Sequence, residues 1–379
     1  MVLTAKKMRI YPTAEQEEKL GRFFGCARFT QNQLIAMQKE RYANGGKYIN
    51  TFGMNNLLPA LKLEYPWLKA TDSKSLQHVS ATVNDAYQRF FKGQNRFPRF
   101  RKKDDRQSYT TDGNIAIQGK RVKLPKLGTV KIKNHYNLQD SKIKRATISK
   151  TTTNKYYVSL LIESQIESLP TTGEAVGIDL GLKDFAILFD GVQGWNVENQ
   201  HFLKEQSKKL AEAQKILSRR ALLASKRGVP LKEAKNYQRQ KLIVAKLHEK
   251  IANQRKDFLQ KLSTELIQRF DIICLENLGT KNMMKNHKLA RSISEQGWSQ
   301  FVSMLQYKKD FYAKKVVQVS RNYPSSQICS ECGARYNSDK QGVKWSLAIR
   351  EWTCTECETR HDRDINAAKN IRIQGLAIV

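Results

Sequence analysis

Two Cys-x-x-Cys pairs near the C-terminus restrict this chain more than any other feature. They are Cys329 with Cys332 and Cys354 with Cys357, and residues 333 to 353 lie between them. Four thiolates at this spacing close a tetrahedral Zn²⁺ site, each pair straddling a tight turn that Gly333 eases in the first pair only. The intervening loop is about one residue longer than usual for zinc, a small cost because loop-closure entropy grows slowly with length. Disulfides or unrelated buried thiols are the competing readings. Cys26 and Cys274 stand apart and unpaired, as in a reducing compartment, so zinc is the expectation. With sulfur in all four positions, such a metal holds structure and has no place for water or substrate. Directly after the second pair comes the acidic string His361-Asp362-Arg363-Asp364, which a zinc knuckle does not explain.

The chain has 379 residues, too many for one core, so two or three domains are expected. Its opening residues form no apolar signal segment and no stretch reaches the length of a membrane span. The expectation is a cytoplasmic protein with access to a prokaryotic nucleoid and no membrane partner. Lys and Arg number 67 against 35 Asp and Glu, a formal charge of +32. A compact chain so charged repels itself, and a polyanion relieves the repulsion. Nucleic acid is therefore the natural partner. A membrane surface would call for a basic amphipathic anchor or a lipidation signal, and neither is found; a merely supercharged surface is the blander alternative.

Residues 3 to 11 alternate and end at Pro12, which predicts a strand. Thr13-Ala14-Glu15-Gln16 is a capping box opening a helix with Leu20, Phe23, Phe24, Ala27 and Leu34 inward. A shorter helical piece over 54–63 is expected to break at Pro59 and Pro66. A third helix, from Asp72 or Ser73, should bury Leu76, Val79, Val83, Phe90 and Phe91. Its other face shows Lys74, Gln77, Asn84 and Arg89, which suit base edges but equally suit solvent. Phe97-Pro98-Arg99-Phe100-Arg101-Lys102-Lys103 then interleaves aromatics with cations, the composition of a stacking and phosphate-binding surface. Six short β-rich runs between Ser108 and Ile162 suggest a small barrel with one cationic face. Residues 169–173 read as a linker.

In the second half, Gly177-Ile178-Asp179-Leu180-Gly181 ends an apolar run in an acid, with Phe185 to Phe189 as its hairpin partner. Two long helices over 203–270 break at Gly228-Val229-Pro230. The second helix should bury Ile243, Leu247, Ile251, Phe258, Leu262 and Leu266. From His201 to Lys261 there are 17 Lys and Arg against 5 Asp and Glu, favouring a phosphate-facing surface over a solvated one. A second buried strand ends at Glu276. Residues 283–294 read as a mobile polar loop, 316–319 as a third strand, and a helix follows from Asp364. Asp179, Glu276 and Asp364 each stand at the edge of a buried element. Three carboxylates brought together repel unless cations intervene, and Mg²⁺ or Mn²⁺ prefers oxygen ligands. Two such ions activate water and stabilise the leaving oxygen of a phosphodiester. Three unrelated caps are the alternative.

Gly177-Ile178-Asp179-Leu180-Gly181, Leu275-Glu276-Asn277-Leu278, Cys329-Ser330-Glu331-Cys332-Gly333 and His361-Asp362-Arg363-Asp364-Ile365-Asn366-Ala367-Ala368 together resemble TnpB, the transposon-encoded relative of type V CRISPR effectors. Tyr11-Pro12-Thr13 and Phe97-Pro98-Arg99-Phe100 extend the resemblance over essentially the whole chain. It implies an α/β multidomain fold: an RNase H-like (RuvC) nuclease domain with an inserted zinc finger, and an N-terminal β-barrel wedge domain with an inserted helical recognition lobe. The implied boundaries are 1–12 and 96–170 for the wedge, 13–95 for the lobe, 171–325 and 359–379 for the nuclease domain, and 326–358 for the finger. Asp179, Glu276 and Asp364 become its Mg²⁺-binding catalytic acids, and Cys329, Cys332, Cys354 and Cys357 its zinc ligands. Asp362 rivals Asp364, which matches the family's second Asp in Asp-Arg-Asp. Glu358 stands where the family commonly has Gly. Lys74, Gln77, Arg99, Arg101 and Lys102 are the expected nucleic-acid contacts.

The resemblance further implies a guide RNA transcribed from the transposon end, recognition of a short flanking motif, and cleavage of double-stranded target DNA and its unwound strands. The expected assembly is a monomer with one RNA. A guide-directed repressor with an idle nuclease, or a transposase working without a guide, would be the alternatives.

Overall fold

The computed structural model describes residues 2–136, 138, 141–165, 168–346 and 348–379, and the chain divides into the units Met1–Gln165 and Ile166–Val379. In the first unit β1 (Val2–Tyr11) runs into Pro12, and Thr13 caps the long helix α1 (Ala14–Ala43). The capping box is complete: Gln16 N donates to Thr13 Oγ1 at 3.3 Å and Thr13 N donates to Gln16 Oε1 at 3.1 Å. Helix α2 (Thr51–Glu64) continues through Pro59, contrary to the expected break. Pro59 lies on the exposed face, where water can take the carbonyl that the missing N–H leaves free. Helix α3 (Ser73–Phe91) buries Leu76, Val79, Val83 and Tyr87, but Phe91 is 56% exposed. Instead of entering the core, Phe90 and Phe91 join an aromatic cluster with Tyr48, Tyr87 and Phe97.

The remaining strands of this unit are β2 (Gln107–Thr111), β3 (Ala116–Gln118), β4 (Arg121–Leu124), β5 (Gly128–Lys133), β6 (Ile143–Lys150) and β7 (Tyr156–Ser164). They form one antiparallel sheet in the order β2-β6-β7-β1-β5-β4-β3. Strand β1 sits between β7 and β5, so the three helices leave and re-enter a single sheet. The expected barrel is an open sheet: among the described residues no ladder joins β2 to β3. The helices supply the reason. Phe23, Phe24 and Val83 share one core with Met8, Ile10, Val130, Ile148 and Val158, filling space that a closed barrel would fill from its own strands.

The second unit begins with the antiparallel meander β8 (Ala175–Leu180), β9 (Asp184–Phe189) and β10 (Gly194–Glu198). The helical pair α4 (Phe202–Lys226) and α5 (Lys235–Arg269) follows. Strand β11 (Ile272–Glu276) leads to α6 (Thr280–Met283), α7 (His287–Gln296), α8 (Trp298–Tyr312) and β12 (Lys315–Val319). The knuckle segment holds α9 (Ser338–Gln341), β13 (Glu351–Thr353) and β14 (Arg360–Asp362), and α10 (Arg363–Leu376) closes the unit. The sheet order is β10-β9-β8-β11-β12, with β8, β11 and β12 parallel. Strand β8 is covered on both faces, which explains its unbroken apolar run. On one side Ile178, Leu275 and Leu180 pack with Leu259, Leu262 and Leu266 of α5 and Phe301 of α8; on the other, Cys274 and Val319 meet Ile371 of α10.

Two expectations change here. Ile243 of α5 is 44% exposed and Val244 takes the inward place, because that end of α5 packs against Leu210 and Ala213 of α4 rather than the sheet. The polar stretch 283–294 is largely helix α7, capped by Asn286 and anchored by buried Ile293. Lys308 of α8 is buried and donates Nζ to Gln260 O, Ser263 Oγ and Thr264 Oγ1 at 2.9, 2.7 and 2.6 Å, tying α8 to α5. Its burial lowers the ammonium pKa to about 8. No periodicity reveals such a lysine.

Candidate functional site

Asp179 is the penultimate residue of β8 and Glu276 the last of β11. Ile178 pairs with Leu275, so on the next rung the two acids stand side by side on one face of the sheet. Helix α10 lies on that face, and Gly177 lets it approach. A Cβ there would stand 2.0 Å from Ala368 O and 2.7 Å from Arg372 N. Further along, Gly375 lies where a Cβ would meet Cys274 Sγ at 2.3 Å. Arg372 Nε donates to Ala175 O at 2.9 Å, so α10 runs antiparallel to β8. From Gly177 to Asp179 the strand advances roughly 6.6 Å, and from Ala368 back to Asp364 the helix advances about 6 Å. That match delivers Asp364 to Asp179.

A Gly177→Ala variant should therefore lose roughly 1–3 kcal/mol or more, because the clash is with backbone that cannot turn aside. Urea unfolding checks this, and a wild-type midpoint would show that α10 does not rest on Gly177.

The electrostatics agree with the placement. Burial, then the nearby Glu276 and Asp364, push the Asp179 carboxyl up to about 8, with Arg363 opposing. Burial also raises Glu276. Asp364 Oδ1 accepts from Arg363 Nε at 2.8 Å and Nη2 at 2.6 Å, and Oδ2 accepts from Arg350 Nη1 at 3.2 Å. Asp362 does a different job: its Oδ1 caps α10, accepting from Asp364 N at 3.0 Å and Ile365 N at 2.8 Å. Of the two neighbouring acids, Asp364 is thus the one beside Asp179. With both oxygens on guanidinium groups, Asp364 does not close on the other acids as the cysteines close on one another. Among the described residues only Cys329, Cys332, Cys354 and Cys357 form a group whose ligand atoms all lie within 4.8 Å.

Those four cysteines fit a structural zinc. The sulfurs of Cys329 and Cys357 are 3.5 Å apart and those of Cys332 and Cys354 3.6 Å, close to the roughly 3.8 Å edge of a tetrahedron with 2.3 Å Zn–S bonds. The two turns are alike: Gly333 N donates to Cys329 O at 2.9 Å and Glu358 N to Cys354 O at 3.0 Å. Both residues after the pairs are left-handed, with φ of 76° for Gly333 and 59° for Glu358, so Glu358 carries strain that glycine would not. A hydrogen bond with Thr359 pulls the Cys357 thiol down to about 6, favouring the thiolate. Cys274, by contrast, is raised to about 11 by burial and serves the core.

In the first unit Lys74 and Gln77 are exposed on α3, and Arg99 and Lys102 are exposed beyond it. Arg101 is half-buried, its backbone clasped by Asn32 at 2.8 and 3.0 Å. Asn84 accepts from Tyr48 OH at 2.9 Å and is structural. Sequence reasoning missed Lys39, whose Nζ stands 5.4 Å from the Phe97 ring and 4.6 Å from the Phe100 ring. The interleaved segment was visible, but its cation comes from α1. On the outer sheet face Arg121 opposes Lys131 and Arg9 opposes Lys133, like-charge pairs that an anion would relieve.

Fold and site define a class: a mixed α/β protein with acids at the end of a sheet and a four-cysteine knuckle leading into the helix that carries the last acid. The same fold occurs in a solved structure titled "Cryo-EM structure of the Cas12f1-sgRNA-target DNA complex", with a TM-score of 0.54, 12% identity and 98% of each chain covered. A family model described as "Probable transposase" matches residues 157–287, and one for the Cas12f1-like TNB domain matches residues 298–371. A model described as "Helix-turn-helix domain" matches residues 1–47, a span that holds β1 and α1. A Streptomyces pristinaespiralis protein, provisionally named RNA-guided DNA endonuclease, is 32% identical, covering 99% of this chain and 90% of that one. Escherichia coli K12 InsQ, of the same provisional name, is 30% identical and covers 100% and 93%. A TnpB-like protein of Acanthamoeba polyphaga mimivirus, L79, is 27% identical, covering 59% and 42%. The chain belongs to the TnpB family.

Proposed function

We propose that the protein is an RNA-guided DNA endonuclease that cuts target DNA by divalent-metal-dependent phosphodiester hydrolysis. One observation carries this reading: a half-buried carboxyl, Asp179, beside Glu276 and Asp364, desolvated and pushed up to about 8, in a chain of charge +32. Two of these acids, Asp179 and Glu276, are poorly satisfied without a cation, and hard ions such as Mg²⁺ prefer oxygen donors. The five-stranded sheet is read as an RNase H-like RuvC domain, with Asp179, Glu276 and Asp364 holding the metal. Bound there, Mg²⁺ would supply an activated water and stabilise the leaving oxygen. The chain's own part is positional: β8 and β11 fix two acids on one face, and α10 brings the third, which Arg363 and Arg350 orient. The open sheet with its helical excursion is read as the wedge domain and recognition lobe. Their cationic surfaces would hold a guide–target heteroduplex by its backbone while base pairing supplies sequence.

The test is to purify the protein from cells carrying its transposon end, sequence the co-purified RNA, and offer matched DNA with Mg²⁺. One discrete RNA species and cuts that follow its sequence are expected. Strand-transfer products from RNA-free protein would favour a guide-independent transposase instead, and binding of matched DNA without cleavage would favour an idle, repressor-like nuclease.

A further inference from the structure

Two links join the cysteine knuckle to the helix that carries Asp364, and neither supplies a zinc ligand. The first is His361 on β14, which is 5% exposed and lies against the Trp352 ring with centroids 4.8 Å apart. Its Nε2 stands 3.1 Å from Cys329 Sγ. A zinc-bound thiolate has no proton to give, so in this contact Nε2–H is the donor. The second link is a clasp of two buried amides on α10. Asn366 Nδ2 and Asn370 Nδ2 donate to Ile328 O at 2.7 and 2.6 Å, and Ser330 N donates to Asn366 Oδ1 at 3.0 Å. The knuckle segment 328–330, Cys329 included, is thus held to α10 from both sides.

The chain leaves no slack between these links and the acid. Strand β14 ends at Asp362 and α10 starts at Arg363, so His361, the capping Asp362 and Asp364 are separated by no loop. Asn370 Nδ2 also donates to Ser325 O at 2.8 Å and would keep that bond. Sliding residues 328–330 away from α10 would leave Asn366 with a 3.5 Å contact to Ser325 O and its Oδ1 and Ser330 N unpaired, at roughly 1–3 kcal/mol for each unpaired group. Knuckle and first helical turn are therefore coupled.

We propose that His361 and the Asn366–Asn370 clasp are positioning residues through which zinc loading of the knuckle sets the affinity of the three acids for a divalent cation. The inference rests on the reading of Asp179, Glu276 and Asp364 as metal-binding acids. It makes zinc a determinant of the nuclease centre at a distance, with no place in the chemistry.

The experiment titrates Mn²⁺ into nucleic-acid-free protein, reads free Mn²⁺ by electron paramagnetic resonance, and follows zinc release to a chelating dye in parallel. His361→Phe keeps the ring against Trp352 but removes the donor. It should release zinc more readily, with roughly 10- to 100-fold weaker zinc affinity, and bind Mn²⁺ roughly fivefold or more weakly. His361→Gln, which restores an N–H donor, should recover both. Asn366→Ala leaves the cysteines and His361 in place, so it should keep zinc and still weaken Mn²⁺. Wild-type protein stripped of zinc should show the same weakening, an arm that needs no variant to fold. Unchanged Mn²⁺ affinity in the stripped protein, or in His361→Phe and Asn366→Ala together, overturns the inference alone. Mn²⁺ binding that is absent from the wild type, or indifferent to Asp179→Asn, overturns it together with the assignment of the acids.

Discussion

Replacing Asp179 with Asn should abolish guided DNA cleavage while making the metal-free protein more stable at pH 8. Losing one of three acidic ligands removes several kcal/mol of charge stabilisation from the reaction, a fall of at least about a thousandfold in rate. The stability gain follows from the same carboxyl. Its pKa is about 8 in the folded protein and roughly 3.9 unfolded, so between these values the folded state binds more protons. Without added divalent cation, wild-type stability therefore falls as pH rises from about 4 to about 8. Amounting to a few kcal/mol by pH 8, the loss should be much smaller in the variant, where only the raised Glu276 carboxyl is left to contribute. Urea unfolding at pH 5 and pH 8, with and without Mg²⁺, reads the effect, and Mg²⁺ should restore only the wild type. Cleavage at the wild-type rate would remove Asp179 from the site.

Cys354→Ser should abolish zinc binding and unfold the knuckle. Cys354 is buried among Cys329 and Trp352, and the small aromatic core of Tyr336, Trp345 and Trp352 has little else to hold it. In such sites the free energy of binding metal, roughly 10–16 kcal/mol in small zinc modules, is also free energy of folding, so losing one thiolate removes several kcal/mol. Elemental analysis and a thermal scan should show zinc and the melting transition falling together, whereas Cys26→Ser should leave zinc untouched. A full zinc complement in Cys354→Ser would exclude the four-sulfur assignment.

Much of the site was legible because its parts are local. The Cys-x-x-Cys spacing, the apolar runs ending at Asp179 and Glu276, and the Thr13 capping box each state their chemistry within a few residues. The readings that failed depended on what lay opposite. Pro59 sits within a helix because its face is exposed, Val244 displaces Ile243 because α4 rather than the sheet is its neighbour, and the strands stay an open sheet because α1 and α3 fill their core. Lys39 over Phe97 and Phe100, and His361 against Cys329, pair residues whose periodicity says nothing of each other.

By itself, the sequence determined the four-cysteine spacing, the acids that end two apolar runs and the strongly basic character of the chain, since ligand type, element period and net charge are properties of short segments and sums. Only the tertiary structure decided which of Asp362 and Asp364 stands beside Asp179. That choice depends on how far α10 can sink onto β8, and Gly177, which leaves no Cβ between the strand and Ala368 O, sets the distance.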